Sequence, residues 1–343
     1  MEEYEIKNRI RGSLIGGAVG DALGYPVEFK TYQRIVSLYG PTGITRYSLS
    51  SEGKALVSDD TQMTLYTACG LINANKIGQN PVVTTTRAYI EWLCTQDSST
   101  KWPLQECWIT DLEELHSLRA PGNTCISALK AIVNGQKVIN NSKGCGGVMR
   151  IAPVALYGAS RPTLCLTSLN TLAAELSQIT HKHPLSSISS AFISHLIYCL
   201  ATDEEPTEDS LRGYVGDALR AVSGMFLDDE RNMEYFAQLI HRAIVLAQNE
   251  DMAEVEAITL LGEGWVAEES AAIALYCALR HADSFESAVV AAVNHCGDSD
   301  STGAITGNIM GAMVGYDAIP QYFKDNLELH DVILKVADQL YEC

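Results

Sequence analysis

The stretch GSLIGGAVGDALG, residues 12–24, places glycine at every fourth position, and GAITGNIMGAMVG, residues 303–315, repeats the pattern near the other end. Residues four apart share one face of an α-helix, so each series would form a ridge without side chains. Glycine inside a helix costs about 0.5–1 kcal/mol relative to alanine, so eight of them need a packing reason. We therefore predict interior helices over residues 10–24 and 303–316 that approach other helices closely, with each other as one candidate neighbour. A pair of membrane-spanning helices is disfavoured, because the two segments are too short and contain the polar residues Asp21 and Asn308.

Helical periodicity dominates the remaining sequence, whereas the alternating patterns typical of strands are scarce. The segments between helical patterns are short and have no compositional bias, so none resembles a linker between domains. The sequence therefore predicts an all-α protein with a single compact helical domain over residues 1–343.

Composition excludes several classes of protein. Hydrophobic residues make up 47% of the 343 residues and charged ones 19%, as in packed globular proteins. The formal net charge of −18 opposes binding to a nucleic-acid backbone. The acidic start at residues 1–5 is unlike a secretion signal, and the apolar run at 271–279 is too short to cross a membrane. We expect a cytoplasmic protein with no membrane or nucleic-acid partner, whose ten scattered cysteines are reduced.

Two acidic groups begin helical segments. The acids and hydroxyls concerned are Ser58, Asp59, Asp60, Asp298, Asp300 and Ser301. The first group alone is typical of an ordinary helix N-cap. The second resembles an EF-hand loop at three positions, but Ile309 stands where that loop needs a glutamate. Together the groups offer the all-oxygen ligands that Mg²⁺ and Mn²⁺ prefer, although spacing alone does not show that they meet.

Six segments in order, at residues 17–28, 58–63, 144–150, 180–181, 262–269 and 297–302, resemble the ADP-ribosylglycohydrolase family. The resemblance covers nearly the whole chain. It implies an all-α fold with a central cleft that holds two divalent cations, Mg²⁺ or Mn²⁺. Three residues depart from the family pattern: Ser58 and Ser301 stand where threonine is usual, and Cys145 stands where asparagine is common.

The resemblance also implies roles for particular residues. The expected metal ligands are Ser58, Asp59, Asp60, Asp298, Asp300 and Ser301, and the expected catalytic residues are Glu28, Asp60 and Asp300. The expected substrate contacts are Gly144, Cys145, Gly146, Gly147 and Met149 of a glycine-rich loop, together with His181, Trp265 and Val266. A glycine loop suits a diphosphate, because its backbone N–H groups can approach closely even in an acidic protein.

The implied reaction is hydrolysis of the N-glycosidic bond between ADP-ribose and a protein side chain, and arginine is the side chain that we expect. An arginine leaving group is cationic and would be attracted to an acidic cleft. The expected partner is an ADP-ribosylated protein. Two alternatives remain: an immunity-type protein that neutralises an ADP-ribosyltransferase toxin by binding it, and a hydrolase of O-acetyl-ADP-ribose, serine-linked ADP-ribose or free nucleotides.

Other polar residues have simpler interpretations. His181 and His183 could form a transition-metal pair, but no cluster of Cys or His accompanies them. The pair His330-Asp331 is interpreted as a surface feature, and Glu268 and Glu269 as first-turn acids of a helix.

Overall fold

The computed structural model describes residues 2–343, and these residues form helices and loops without a β-strand. The α-helices in chain order are α1 Glu3–Gly24, α2 Tyr32–Tyr39, α3 Asp59–Ile77, α4 Pro81–Gln96, α5 Asn123–Val133, α6 Ala152–Ala159, α7 Leu166–Ser177, α8 Pro184–Thr202, α9 Glu208–Met225, α10 Glu230–Ala247, α11 Glu254–Leu261, α12 Ala267–Arg280, α13 Phe285–Val293, α14 Ser299–Val314, α15 Gln321–Lys324 and α16 His330–Glu342. The predicted all-α class is confirmed.

Helices α1 and α14 lie side by side in the interior, antiparallel and in backbone contact. A Cβ atom added at Gly12, Gly16 or Gly20 would collide with the main chain of Gly311, Gly307 or Gly303, respectively. The two glycine ridges therefore face each other, as the sequence suggested. The glycines lower helix propensity, but they let the two helices approach more closely than any larger residue permits. The close packing of the helices offsets that cost.

The bounds of the two helices differ from the predicted ones. Helix α1 begins seven residues earlier than predicted, at Glu3. Helix α14 begins at Ser299, because the Asp298 side chain caps it by accepting a hydrogen bond from Ser301 N. It ends at Val314, because Gly315 adopts a φ of 77° that leaves the helical conformation. Gly315 therefore ends the helix, although its main chain still lies against Gly12.

The antiparallel arrangement determines which chain segments meet. The carboxyl end of α1 lies against the amino end of α14, where a Cβ at Gly24 would collide with the Ser299 carbonyl. Helix α3 begins at the same place, because Asp21 of α1 binds the backbone of Ser58 and Thr61. Three helix ends separated widely in sequence thus converge at one end of the central pair.

One helix within residues 2–343, α8, is long and apolar enough to cross a membrane by hydropathy alone. However, 83% of its apolar window is buried inside the protein. Its side chains pack against α6, α7 and α9, as expected of a core helix. All ten cysteines are free thiols, and Cys165 and Cys296 are the two exposed ones.

Candidate active site

Five carboxylates gather where the three helix ends converge. Asp59 and Asp60 begin α3, Asp298 and Asp300 flank the start of α14, and Glu28 follows α1. Carboxylate oxygens of Glu28, Asp298 and Asp300 lie within 4.8 Å of one another. All five acids, with Ser301, line a cleft of about 680 Å³. The two predicted acidic groups therefore do meet.

The same residues also cap their helices. Ser58 Oγ accepts a hydrogen bond of 3.2 Å from Asp60 N, and Asp298 Oδ1 accepts one of 3.3 Å from Ser301 N. Capping and site formation therefore coexist, because the positive end of each helix dipole stabilises the carboxylates beside the cleft. Ser58 is fully buried beneath Asp60 and does not line the cleft itself.

The cluster carries unbalanced negative charge. Burial raises the pKa values of Asp59, Asp60 and Asp298 well above their ordinary range, and the Asp300 carboxylate raises them further. Burial, followed by repulsion from Asp300 and Asp298, raises the pKa of Glu28 to about 10. The described residues that line the cleft include no Lys or Arg to balance these acids. Protons or bound cations must therefore supply the missing positive charge.

The donor set fits a hard divalent cation. Asp60 Oδ1 is buried and has no hydrogen-bond partner within the described chain. Leaving such an atom unpaired costs free energy unless a ligand binds it. The cluster of Glu28, Asp298 and Asp300 contains no thiolate or imidazole. Carboxylate and hydroxyl oxygens are the ligands that Mg²⁺ and Mn²⁺ take.

Asp21 supports this site and was not identified from the sequence. It is fully buried, and its carboxylate accepts hydrogen bonds from Ser58 N at 3.0 Å, Thr61 N at 3.1 Å and Thr61 Oγ1 at 2.5 Å. Burial and the nearby Asp300 raise its pKa to about 7, against these hydrogen bonds, which lower it. Asp21 therefore holds the Ser58–Asp60 turn from the adjacent helix. An isolated acid inside a glycine-rich buried helix was the available signal.

We expect Asp21→Asn to weaken divalent-cation binding by about 10–100-fold, because partners that orient metal ligands have effects of this size. Asparagine keeps one acceptor oxygen but loses the second, which also receives a hydrogen bond from Ser58 N, and it carries no negative charge, so it holds the turn more weakly. Titration of the purified variant with Mn²⁺ by calorimetry measures the change. Wild-type affinity in Asp21→Asn would show that the turn is held in place without this carboxylate.

A second wall of the cleft is formed by the glycine-rich loop at residues 144–149. This loop pairs with the segment before α12: Cys145 N donates to the Trp265 carbonyl at 3.2 Å, and Ala267 N donates to the Lys143 carbonyl at 2.8 Å. Glu268 is fully buried and forms an ion pair with Lys143. This partly buried ion pair and the two backbone hydrogen bonds fix the loop on α12.

Glu268 and Glu269 do lie in the first turn of α12, but each has a more specific role than helix-dipole stabilisation. Glu268 fixes the glycine-rich loop through Lys143. Glu269 accepts hydrogen bonds from Glu263 N at 3.0 Å and Gly264 N at 3.2 Å, and so shapes the turn before Trp265.

Six of the eight predicted substrate contacts line the cleft, and two do not. Those that line the cleft are Gly144, Cys145, Gly146, Met149, His181 and Trp265. Gly147 instead faces Ser177 and Ser186, where a Cβ would collide with both hydroxyls, and Val266 does not line the cleft. The Cys145 thiol contacts Asp298 and Ser301, and burial raises its pKa well above the ordinary value.

A third wall is formed by residues 118–126, of which the last four begin α5. It is connected to the acidic cluster, because Asp59 N donates to the Arg119 carbonyl at 3.0 Å and Gly122 N donates to Asp59 Oδ2 at 3.1 Å. At the mouth of the cleft, Phe29 stacks on Trp265 with ring centroids 5.2 Å apart. Phe29 is 72% exposed and has a φ of 61°.

The histidines considered as metal ligands have other partners. His183 caps α8 by accepting a hydrogen bond from Leu185 N, and His181 is buried beside Thr180. Within residues 2–343, the one group with metal-binding geometry is Glu28, Asp298 and Asp300. His330 bonds to Tyr316 and to the exposed Asp331, in agreement with a surface feature.

Comparison with known proteins identifies the fold and the family. The family model for ADP-ribosylglycohydrolase matches residues 2–343. The chain belongs to the ADP-ribosylglycohydrolase family. Members of this family hydrolyse ADP-ribose linkages and use divalent metal ions. The resemblance seen in the sequence is therefore confirmed.

Several ADP-ribosylglycohydrolase relatives align along most of the chain. The ADP-ribosyl-[dinitrogen reductase] glycohydrolase of Rhodospirillum rubrum is 26% identical, over 96% of this chain and 93% of its own. The ADP-ribosylarginine hydrolase Tri1 of Serratia proteamaculans is 23% identical, over 99% of this chain and 81% of its own. A solved ADP-ribosylglycohydrolase-related protein complex has the same fold, with a TM-score of 0.61 and 22% identity over 99% of both chains.

Proposed function

We propose that this ADP-ribosylglycohydrolase cleaves the N-glycosidic bond between ADP-ribose and an arginine side chain of a protein. The observation that carries the proposal is the cleft itself. One wall presents five carboxylates, among them Asp60 with its buried, unpartnered Oδ1, and a glycine-rich loop forms the adjoining wall. A site of this kind can hold cations on one side and a diphosphate on the other.

The chain's own residues would bind and orient the substrate. The main chain at Gly144 and Gly146, which lack side chains, lets a diphosphate approach closely. Asp59, Asp60, Asp298, Asp300 and Ser301 line the cleft as oxygen ligands for two divalent cations, with Ser58 beneath them.

Cleavage passes through an oxocarbenium-like state that is attacked by water. Bound divalent cations supply positive charge for ribose hydroxyls and lower the pKa of a water molecule. Burial and the neighbouring acids raise the pKa of Glu28, and bound cations would favour its ionised form. The Glu28 carboxylate would then take the proton of the attacking water, since this side chain lies at the cluster and lines the cleft.

The arginine linkage is supported by the chemistry of the cleft mouth. The planar guanidinium of the leaving group can stack on an aromatic face, and Phe29 and Trp265 offer such faces beside Glu28. The carboxylates of the cleft also attract a cation. The names of the Rhodospirillum and Serratia relatives, which describe a protein substrate and ADP-ribosylarginine, support the proposal further.

Matched peptides that differ only in an arginine or a serine linkage test the preference under single-turnover conditions. We expect faster release of ADP-ribose from arginine, and we expect Phe29→Ala to reduce that preference by about 3–10-fold, as loss of one cation–π contact would. The comparable variant Leu118→Ala removes another exposed apolar side chain of the mouth without an aromatic face and should keep the preference.

A tenfold or greater serine preference in the wild-type protein would contradict the arginine assignment while leaving ADP-ribose hydrolysis in place. Rapid turnover of O-acetyl-ADP-ribose alone would assign the cleft to a free nucleotide. Binding to an ADP-ribosyltransferase toxin and a cytoplasmic location stay predictions from the sequence.

A further inference from the structure

Arg150 is a fully buried cation without an acidic partner in the described chain. Its Nη2 atom donates to Thr180 Oγ1 at 2.6 Å, and its Nη1 atom donates to the sulfur atoms of Met63 at 3.3 Å and Cys125 at 3.5 Å. The guanidinium also lies 4.3 Å from the centre of the Tyr89 ring, and its Nε atom is unpartnered. Burying a charge in this way costs free energy, so folding alone does not account for it.

The hydroxyl of Thr180 connects Arg150 to His181. Thr180 Oγ1 lies 2.9 Å from His181 Nδ1. A guanidinium can only donate hydrogen bonds, so Thr180 must accept from Arg150 and has one hydrogen left to donate. The Thr180 hydroxyl also lies within hydrogen-bond reach of the Cys125 sulfur, but sulfur is a weak acceptor and this one already receives a hydrogen bond from Arg150. The hydrogen of Thr180 is therefore best directed to His181 Nδ1.

An imidazole that accepts at Nδ1 carries its hydrogen on Nε2. Nε2 of His181 lies beside the main chain of Gly144 and Gly146, and the ring lines the cleft. Within residues 2–343, this atom has no hydrogen-bond partner. Burial, together with the positive charge of Arg150, lowers the pKa of His181 to about 3, so the ring stays neutral.

We propose that Arg150 and Thr180 are positioning residues that hold His181 as the neutral tautomer with its hydrogen on Nε2, ready to donate to an oxygen of the bound ADP-ribose. The buried guanidinium acts through Thr180 and never touches the substrate. It directs the Thr180 hydroxyl, and it opposes protonation of the ring. The identity of the ligand rests on the proposed function, whereas the tautomer does not.

Long-range ¹H–¹⁵N correlation spectra of the ¹⁵N-labelled full-length protein report the tautomer of each histidine. The His181→Gln variant assigns the signals. In the wild-type protein we expect one dominant His181 tautomer, with Nε2 protonated and Nδ1 unprotonated. A dominant Nδ1-protonated form, or a mixture, would overturn the proposal without any variant of Arg150 or Thr180.

Thr180→Val and Thr180→Ser distinguish a hydrogen-bonding role of the Thr180 hydroxyl from a packing role of the side chain. Valine keeps the shape but removes the hydroxyl, so we expect mixed tautomers and about tenfold weaker binding of ADP-ribose by calorimetry. Serine keeps the hydroxyl, so it should restore both readouts to within about twofold of wild type. Equal spectra and affinities for wild type and Thr180→Val would refute the hydrogen-bonding role of Thr180.

The two proposals fail in different ways. If the metal-loaded wild-type protein does not bind ADP-ribose, the proposed function fails, and the wild-type spectrum still decides the tautomer. If ADP-ribose binds but Thr180→Val binds it as tightly as wild type, the function stands and the positioning role of Thr180 falls.

Discussion

Asp60→Asn and Asp300→Asn should each lower kcat/KM for ADP-ribosyl-arginine by more than about 100-fold. Both side chains are almost fully buried in the acidic cluster, and Asp60 carries the unpartnered oxygen. Even residues that merely orient metal ligands change affinity or activity by about 10–100-fold, so a ligand itself should have a larger effect. Initial rates with saturating Mn²⁺, together with metal content after dialysis, measure the change.

Asp331→Asn is the matched control. Asp331 also lies in the first turn of a helix, but its side chain is 99% exposed and does not line the cleft. This variant should retain wild-type activity and metal content. If Asp60→Asn and Asp300→Asn fold normally and also retain both, then the acids serve only as helix caps and the metal assignment is wrong.

Gly20→Ala and Gly307→Ala should destabilise the protein severely, by at least about 3 kcal/mol each, which is the upper part of the usual range for overpacking. The added Cβ at Gly20 would meet the carbonyl of Gly303, and the one at Gly307 would meet the carbonyl of Gly16. Backbone atoms cannot rotate away, so the two central helices would have to separate. Urea denaturation followed by circular dichroism gives the change in unfolding free energy.

Gly213→Ala provides the opposite control. Gly213 lies within α9, on an exposed face, and a Cβ there would meet nothing within 4 Å. Alanine should therefore stabilise the protein by up to about 1 kcal/mol through helix propensity alone. If Gly20→Ala were stabilising as well, the close contact between α1 and α14 would not exist in solution.

The central helix pair could be predicted from the sequence because its signal is physical and local. Glycine at every fourth position inside a helix is unfavourable unless another backbone lies against it, and both ridges have that neighbour. The helix bounds were less predictable. Gly315 continues the spacing of the ridge, yet its positive φ ends the helix, and spacing does not reveal φ.

The acidic site could be predicted only in part. Each acidic group was visible as a helix start, but 238 residues separate Asp60 from Asp298, and only the family resemblance indicated that they meet. Asp21 was missed because its role depends on accepting hydrogen bonds from another helix. The wall at residues 118–126 was missed because its position depends on backbone contacts with Asp59, which leave no pattern in the sequence.

The metal dependence of hydrolysis is measured as release of ADP-ribose from an ADP-ribosyl-arginine peptide by protein stripped of metal and then reconstituted. We expect less than about 1% of full activity after verified removal of metal, and recovery when Mg²⁺ or Mn²⁺ is added. Asp60→Asn should not recover under the same conditions. Full activity of the stripped wild-type protein in excess chelator would contradict metal-dependent hydrolysis by the acidic cluster.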